Sequence, residues 1–219
     1  MTTVPAGIDP GWQTNPGRLR QRARVLAEHL DDALEAADPD LARVAVRDVM
    51  AGPAWREHHA AAVRLAASRQ QFVQQAEAQG LPKAQIDSHR NTVLRWPEVP
   101  MPVGVMPAEI AATRPAAKTV VVAADWSVGH SVGKHPTAAG DWAGIQEMLD
   151  RGEVQQEAST GHLSIFLRRA GVEWALFLRA LPDHWLVTTL FQPKPSYRAN
   201  KLARPGQIKV REEDAGGGP

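Results

Sequence analysis

Cysteine is missing altogether from this 219-residue chain. Disulfides, thiolate metal sites and cysteine nucleophiles are thereby excluded, and the absence suits a reducing compartment. No apolar run approaches the ~20 residues that a membrane-spanning helix needs. No basic region followed by an apolar core marks a signal peptide, and no membrane partner is expected. The net charge of +1 carries no overall nucleic-acid signature. Several chemical patterns are lacking too. HExxH, paired carboxylates and GxGxxG loops do not occur, and "GHSVGKHP" lacks the Ser or Thr that follows Lys in a phosphate loop. Ser131 stands outside any nucleophile-elbow context. His58 and His59 are adjacent on a predicted helix and so point ~100° apart. No metal or cofactor is expected.

What is present is ordinary in bulk: 43% apolar and 22% charged residues, as in soluble globular proteins. The length suits one large domain or two small ones. Charge is unevenly placed. Residues 194–211 contain Lys194, Arg198, Lys201, Arg204, Lys209 and Arg211 and no acid. Such a basic stretch can meet phosphates; a solvated C-terminal extension accounts for it equally well.

Along the chain, residues 1–17 hold three Pro and three Gly and read as an irregular lead-in. Residues 18–80 read as a helical module. Leu19, Ala23, Leu26, Leu30, Ala33 and Ala37 form one apolar face, and Asp38-Pro39 and Gly52-Pro53 break the module into successive helices. Residues 81–115 carry Pro82, Pro97, Pro100, Pro102, Pro107 and Pro115 and read as an extended linker. An α+β domain follows over 116–211, then a flexible tail over 212–219. In the domain "KTVVVAAD" is a buried strand, "GDWAGIQEMLDRGEV" a helix with Trp142, Ile145, Met148 and Leu149 inward, and "HLSIFLRR", "VEWALFLRA" and "HWLVTTLF" an antiparallel meander.

Two stretches resemble known families. "GIDPGWQTNPG" (residues 7–17) is similar to the segment that closes the head-morphogenesis, or minor capsid, domain of Mu-like phage proteins. That domain precedes the segment in the family, whereas here the segment stands almost at Met1. The resemblance therefore reads the chain as a remnant or a piece cut from a longer protein. "GKHPTAAGDWAGIQEMLDRGEV" with the following strands, about residues 118–203, looks like the phage nuclease domain of the barnase–EndoU–colicin–RelE-like superfamily. The resemblance implies a barnase-like fold, a helix packed on an antiparallel meander. It also implies a ribonuclease acting on RNA, tRNA included, in the cytoplasm of a bacterial host, with an immunity protein as a further partner. The alternative is a non-enzymatic, virion-associated module that docks on phage head or portal proteins.

Metal-independent RNA cleavage needs a base for the 2′-hydroxyl proton, an acid for the leaving oxygen and groups that stabilise the phosphorane. His135 is the first candidate for proton transfer, with His130 as a second carrier and Lys134 beside the phosphate. Gly129 and Gly133 read as loop glycines that let backbone approach the phosphate. An ordinary solvated loop is the plain alternative. Similar nucleases carry a hydroxyl on the last meander strand. Thr188 shares parity with Leu186 and Leu190, and Thr189 with Trp185, Val187 and Phe191, so only one faces a cleft; Thr188 is placed ahead and both are kept. Tyr197, the sole tyrosine, can stack a base while Arg198 holds phosphate. Lys201, Arg204 and Lys194 complete the RNA-binding set.

Overall fold

Asp38 caps the first helix described in full. Its carboxylate accepts from the Asp40 N–H at 2.8 Å, and Pro39 takes the first helical position of α1 (Pro39–Ala51). The computed structural model describes residues 38–114, 119–135, 142–182 and 184–214, with Arg24, Val25 and Glu28 in helical backbone. The phage-like segment at 7–17 and the rest of the helix expected from residue 18 lie outside the described residues. Gly52-Pro53 ends α1 and opens the long α2 (Pro53–Ala78), as the sequence predicts.

The segment expected to be a linker is built into the fold. It contains α3 (Lys83–Thr92), strand β1 (Met101–Val105) and the short α4 (Ala108–Ala111). Pro102 lies within β1. A strand at the edge of a sheet tolerates it, because one side of the strand has no neighbour to bond. Every residue of β1 is nonetheless buried. β1 pairs antiparallel with β2 (Val120–Ala123), the "KTVVVAAD" strand. The open side of β1 is closed by a side chain: the Gln146 amide accepts from the Val105 N–H at 2.8 Å and donates to the Val105 carbonyl at 3.0 Å.

After β2 come α5 (Asp125–Lys134), a 3₁₀ turn (Trp142–Gly144) and α6 (Ile145–Arg151). The strands β3 (Glu153–Glu157), β4 (Leu163–Arg169), β5 (Val172–Ala180) and β6 (Trp185–Phe191) form the meander. β4 and β5 are joined by Ala170 and Gly171 at φ 47° and 77°, the left-handed pair that a two-residue hairpin demands. α7 (Pro195–Leu202) and β7 (Gln207–Arg211) follow. The result is one seven-stranded sheet in the order β1-β2-β6-β5-β4-β3-β7, antiparallel except at β2–β6. The chain is therefore α+β with a mixed sheet.

Strand alternation divides the core. Leu163, Ile165, Leu167, Trp174, Leu176 and Leu178 share one face with Ile145, Met148 and Leu149 of α6 and with Trp55 and Ala62 of α2. On the other face Ala42 and Val46 of α1 cover Val105, Val120 and Val122, while Tyr197 and Leu202 of α7 cover Phe166, Ala175 and Phe191. The expected helical module is thus wedged against the sheet: Trp55 of α2 meets Trp142 with ring centroids 5.8 Å apart.

Two basic or terminal expectations change with it. Two of the six basic residues, Lys209 and Arg211, lie on β7, an edge strand on β3. The first residues of the expected flexible tail are tied down, since the Glu213 carboxylate accepts from Arg168 N–H at 2.8 Å and Asp214 N–H donates to the Arg151 carbonyl at 2.7 Å. Among the described residues no helix is long and apolar enough to cross a membrane.

Candidate functional site

The sequence stretch "DWSVGHSVGK", expected to be loop, is helix α5. Two glycines disfavour a helix by about 1 kcal/mol each, but packing overrides propensity here. Gly129 lets α5 lie flush against Trp96, since a Cβ would collide with that ring. The start of the helix is anchored too. Asp125 is fully buried; one carboxylate oxygen accepts from Val99 N–H at 2.9 Å and the other faces Nδ1 of the buried His58 at 3.8 Å. Ser127 Oγ accepts from Ala124 N–H at 3.3 Å. β2 ends before β6 does, and α5 continues along the vacated edge of β6: Ser131 Oγ accepts from Leu190 N–H at 3.0 Å and donates to the Ser127 carbonyl at 2.8 Å. These contacts fix where α5 ends, and its end carries His130, Lys134 and His135.

His135 caps α5, and its ring stacks on Phe191 at 4.6 Å and 26°. Tyr197 meets the same Phe191 ring edge-on at 5.3 Å. Phe177 adjoins both, at 5.7 Å from Phe191 and 6.2 Å from Tyr197, and Lys201 Nζ stands 5.5 Å over it. An aromatic platform with a histidine and a lysine on it is the result, partly open to solvent at His135, Tyr197, Phe177 and Lys201. Burial, then the charge of Lys134, holds the His135 pKa below its ordinary value. Burial, then Lys134 and His135, does the same for His130. Both rings are therefore mostly neutral at pH 7, with a minor protonated fraction that grows as the pH falls. His130 and Lys134 are exposed and line a cleft on the flank of α5 shared with α2.

The strand hydroxyls separate. β6 shifts register between Phe177 and Leu178 of β5, and the bulge breaks the parity expected from alternation. Thr189 stands opposite Phe177, on the platform face, while Leu190 and Val187 point into the main core. Thr188 Oγ donates to the Phe177 carbonyl at 3.1 Å, so its hydroxyl serves the bulge. Thr189 Oγ is buried and has no hydrogen-bond partner among the described residues. Of the pair, Thr189 has the unengaged hydroxyl, and that oxygen is closed off from solvent.

Arg198, expected to meet phosphate, is engaged by carboxylates of the fold. Its guanidinium pairs with Glu153, with Glu213 at 2.8 Å and with Glu173 at 3.6 Å, and lies 5.8 Å over Phe166. Burial works against its charge, but hydrogen bonds and charges from Glu153 and Glu213 outweigh that and leave its pKa above the ordinary arginine value. Glu153 is 6% exposed and Arg198 22%. Arg198→Ala therefore strands a buried carboxylate, and thermal or denaturant unfolding is expected to show a loss of roughly 1–3 kcal/mol. An unchanged stability would restore Arg198 to the list of free phosphate ligands. Lys194 and Arg204 are exposed and keep no ion pair among the described residues. Lys209 and Arg211 pair with Glu212 at 2.7 Å and Glu109 at 3.0 Å.

No family model, curated protein or solved structure matches the chain. What the site can do follows from its geometry. The structure brings His135, Tyr197, Lys201 and Thr189 to one platform and sets His130 and Lys134 beside it on α5. Sequence reasoning missed Phe177 and Phe191, which read only as strand residues, and the cleft residues Trp96 and Trp126. The signal available in sequence was the scarcity of aromatics, 5% of the chain, which makes each partly exposed ring informative.

Proposed function

We propose that the chain is a metal-independent ribonuclease of the phage barnase–EndoU–colicin–RelE-like type, active in the cytoplasm of a bacterial host. The observation that carries the reading is the platform, with His135 stacked on Phe191, Tyr197 on the same ring and Lys201 over Phe177. Open aromatic rings stack bases, and a neutral imidazole accepts a proton. His135 takes the proton of the 2′-hydroxyl, whose oxygen attacks phosphorus. The bond from phosphorus to the 5′-oxygen breaks, and that oxygen takes a proton from His130 in its protonated form. Lys134 and Lys201 offset the charge that gathers on the phosphorane. The products are a 2′,3′-cyclic phosphate and a free 5′-hydroxyl. The run of α6 into the β3–β6 meander supports a barnase-like core, to which β1, β2 and β7 are additions.

One observation favours a non-enzymatic phage head or virion-associated module instead: Thr188 and Arg198 spend their polar groups inside the fold. Purified protein incubated with total RNA and tRNA in EDTA separates the two. Cyclic-phosphate ends are expected, and DNA, which lacks the attacking hydroxyl, is expected to survive. No cleavage leaves the interaction module. The pH profile adds a check. Because His135 sits below its ordinary pKa of 6.5, its base form persists into mildly acid solution. Because the acid, His130, is also held below 6.5, the kcat/KM of cleavage should rise as the pH falls from 7 to about 6.5 and turn down only below it; an acid limb above that value contradicts His135 as the base.

A further inference from the structure

The cleft on the flank of α5 has a volume of about 470 Å³, within the usual range for small-ligand sites. On α5, His130 and Lys134 stand one turn apart and so face the same way. On α2, Gln70 and Gln74 repeat that spacing across the cleft. Trp96 and Trp126 supply aromatic surface. Trp96 is held at the rim of its six-membered ring by Gly129 and on one face by the Arg69 guanidinium, 5.0 Å over the ring. Arg69 in turn donates to the carbonyls of Arg90, at 2.7 Å, and Leu94. Burial, then the charge of Arg90, lowers its pKa to about 10, so it stays positive at neutral pH. Among the described residues no carboxylate lines the cleft. Neither glutamine amide has a hydrogen-bond partner among the described residues, and neither Lys134 nor His130 has an ion pair there.

We propose that this cleft binds one nucleotide of single-stranded RNA, with its base on the tryptophan surface and at the Gln70 and Gln74 amides and its phosphate at Lys134. A carboxylate-free, cationic lining selects an anion. Two indoles and two unengaged carboxamides add what a bare phosphate has no use for: a π-face to stack on and donor–acceptor pairs suited to a base edge, adenine above all. Lys134 and His130 lie on the wall shared with the His135 platform. A strand crossing the end of α5 would set one base in the cleft and the next on the open part of the platform at Tyr197, with the phosphate between them at the histidines. The assignment rests on the ribonuclease reading for its RNA, but binding requires no cleavage.

Calorimetric titration of the full chain tests it with AMP, ribose 5-phosphate, inorganic phosphate and a 2′-O-methyl oligoadenylate that cannot be cut. AMP is expected to bind at least about tenfold tighter than ribose 5-phosphate, the order of one stacked base, and the oligonucleotide tighter than AMP. Gln70 and Gln74 are exposed on α2, so the double variant Gln70→Ala, Gln74→Ala should fold normally and lose about tenfold for AMP, the order of two lost hydrogen bonds. His135→Ala should bind AMP as the native chain does. Equal binding of AMP and ribose 5-phosphate, no binding of AMP, or unchanged AMP affinity in the glutamine variant overturns the assignment. AMP binding tighter than the oligonucleotide makes the ligand a free mononucleotide and overturns the RNA part. AMP bound as expected with RNA left uncut removes the ribonuclease reading and leaves the cleft standing. RNA cut with no AMP bound does the reverse.

Discussion

His135→Ala should slow RNA cleavage in EDTA by roughly 10²–10⁴, the usual contribution of a positioned acid or base, while the protein stays folded. The ring does two separable things. It stacks on Phe191, a contact worth about 0.5–1.5 kcal/mol, and it offers a nitrogen for proton transfer. His135→Phe keeps the first and removes the second. The phenylalanine variant should therefore unfold at the native temperature and denaturant concentration yet be as inactive as the alanine variant. If His135→Phe cleaves at the native rate, His135 is a packing residue and the mechanism is wrong. Binding of an uncleavable oligonucleotide should change little in either variant and should weaken as salt is added, because phosphate contacts release counterions.

The second large effect falls on stability. Trp142 is 1% exposed and joins the large cluster shared by α6, the meander and α2. Trp142→Ala is expected to cost about 3–5 kcal/mol, a large part of the 5–15 kcal/mol typical of a whole protein. Through its contact with Trp55 the cavity opens between α2 and the sheet. The loss should appear as one cooperative transition, with helix and sheet signals falling together. Two separate transitions, or proteolysis that cuts freely within residues 101–106 and releases an intact C-terminal piece, would mean that α2 belongs to an independent unit after all.

Much of the scaffold is legible in the sequence because periodicity reports burial. Leu163, Ile165 and Leu167 alternate, Trp142, Ile145, Met148 and Leu149 recur as on a helix, and all are buried as expected. What failed to show has local physical reasons. Strand β1 hides behind Pro102, which an edge position tolerates. Strand β3, "EVQQE", looks polar because Glu153 and Gln155 point into ion pairs and hydrogen bonds rather than solvent. Helix α5 hides behind Gly129, whose reason is Trp96, a ring 33 positions earlier. The site suffers most. Thr189 and Thr188 exchange roles through a bulge that depends on the partner strand. The carboxylates that hold Arg198 stand at 153, 173 and 213, too scattered for spacing to reveal.

The two borders of the sheet are unlike. At β1 the Gln146 amide already holds the Val105 N–H and carbonyl that a visiting strand would use. At β7 the outer backbone is bordered by no further strand among the described residues, and Ile208 there is 50% exposed. Unpaired strand edges are where chains add to one another. A fibre needs two such borders on every subunit, one to receive and one to offer; a molecule with a single open border can only meet its twin head-on and stop. Strand pairing between copies through the described edges would therefore stop at a closed dimer.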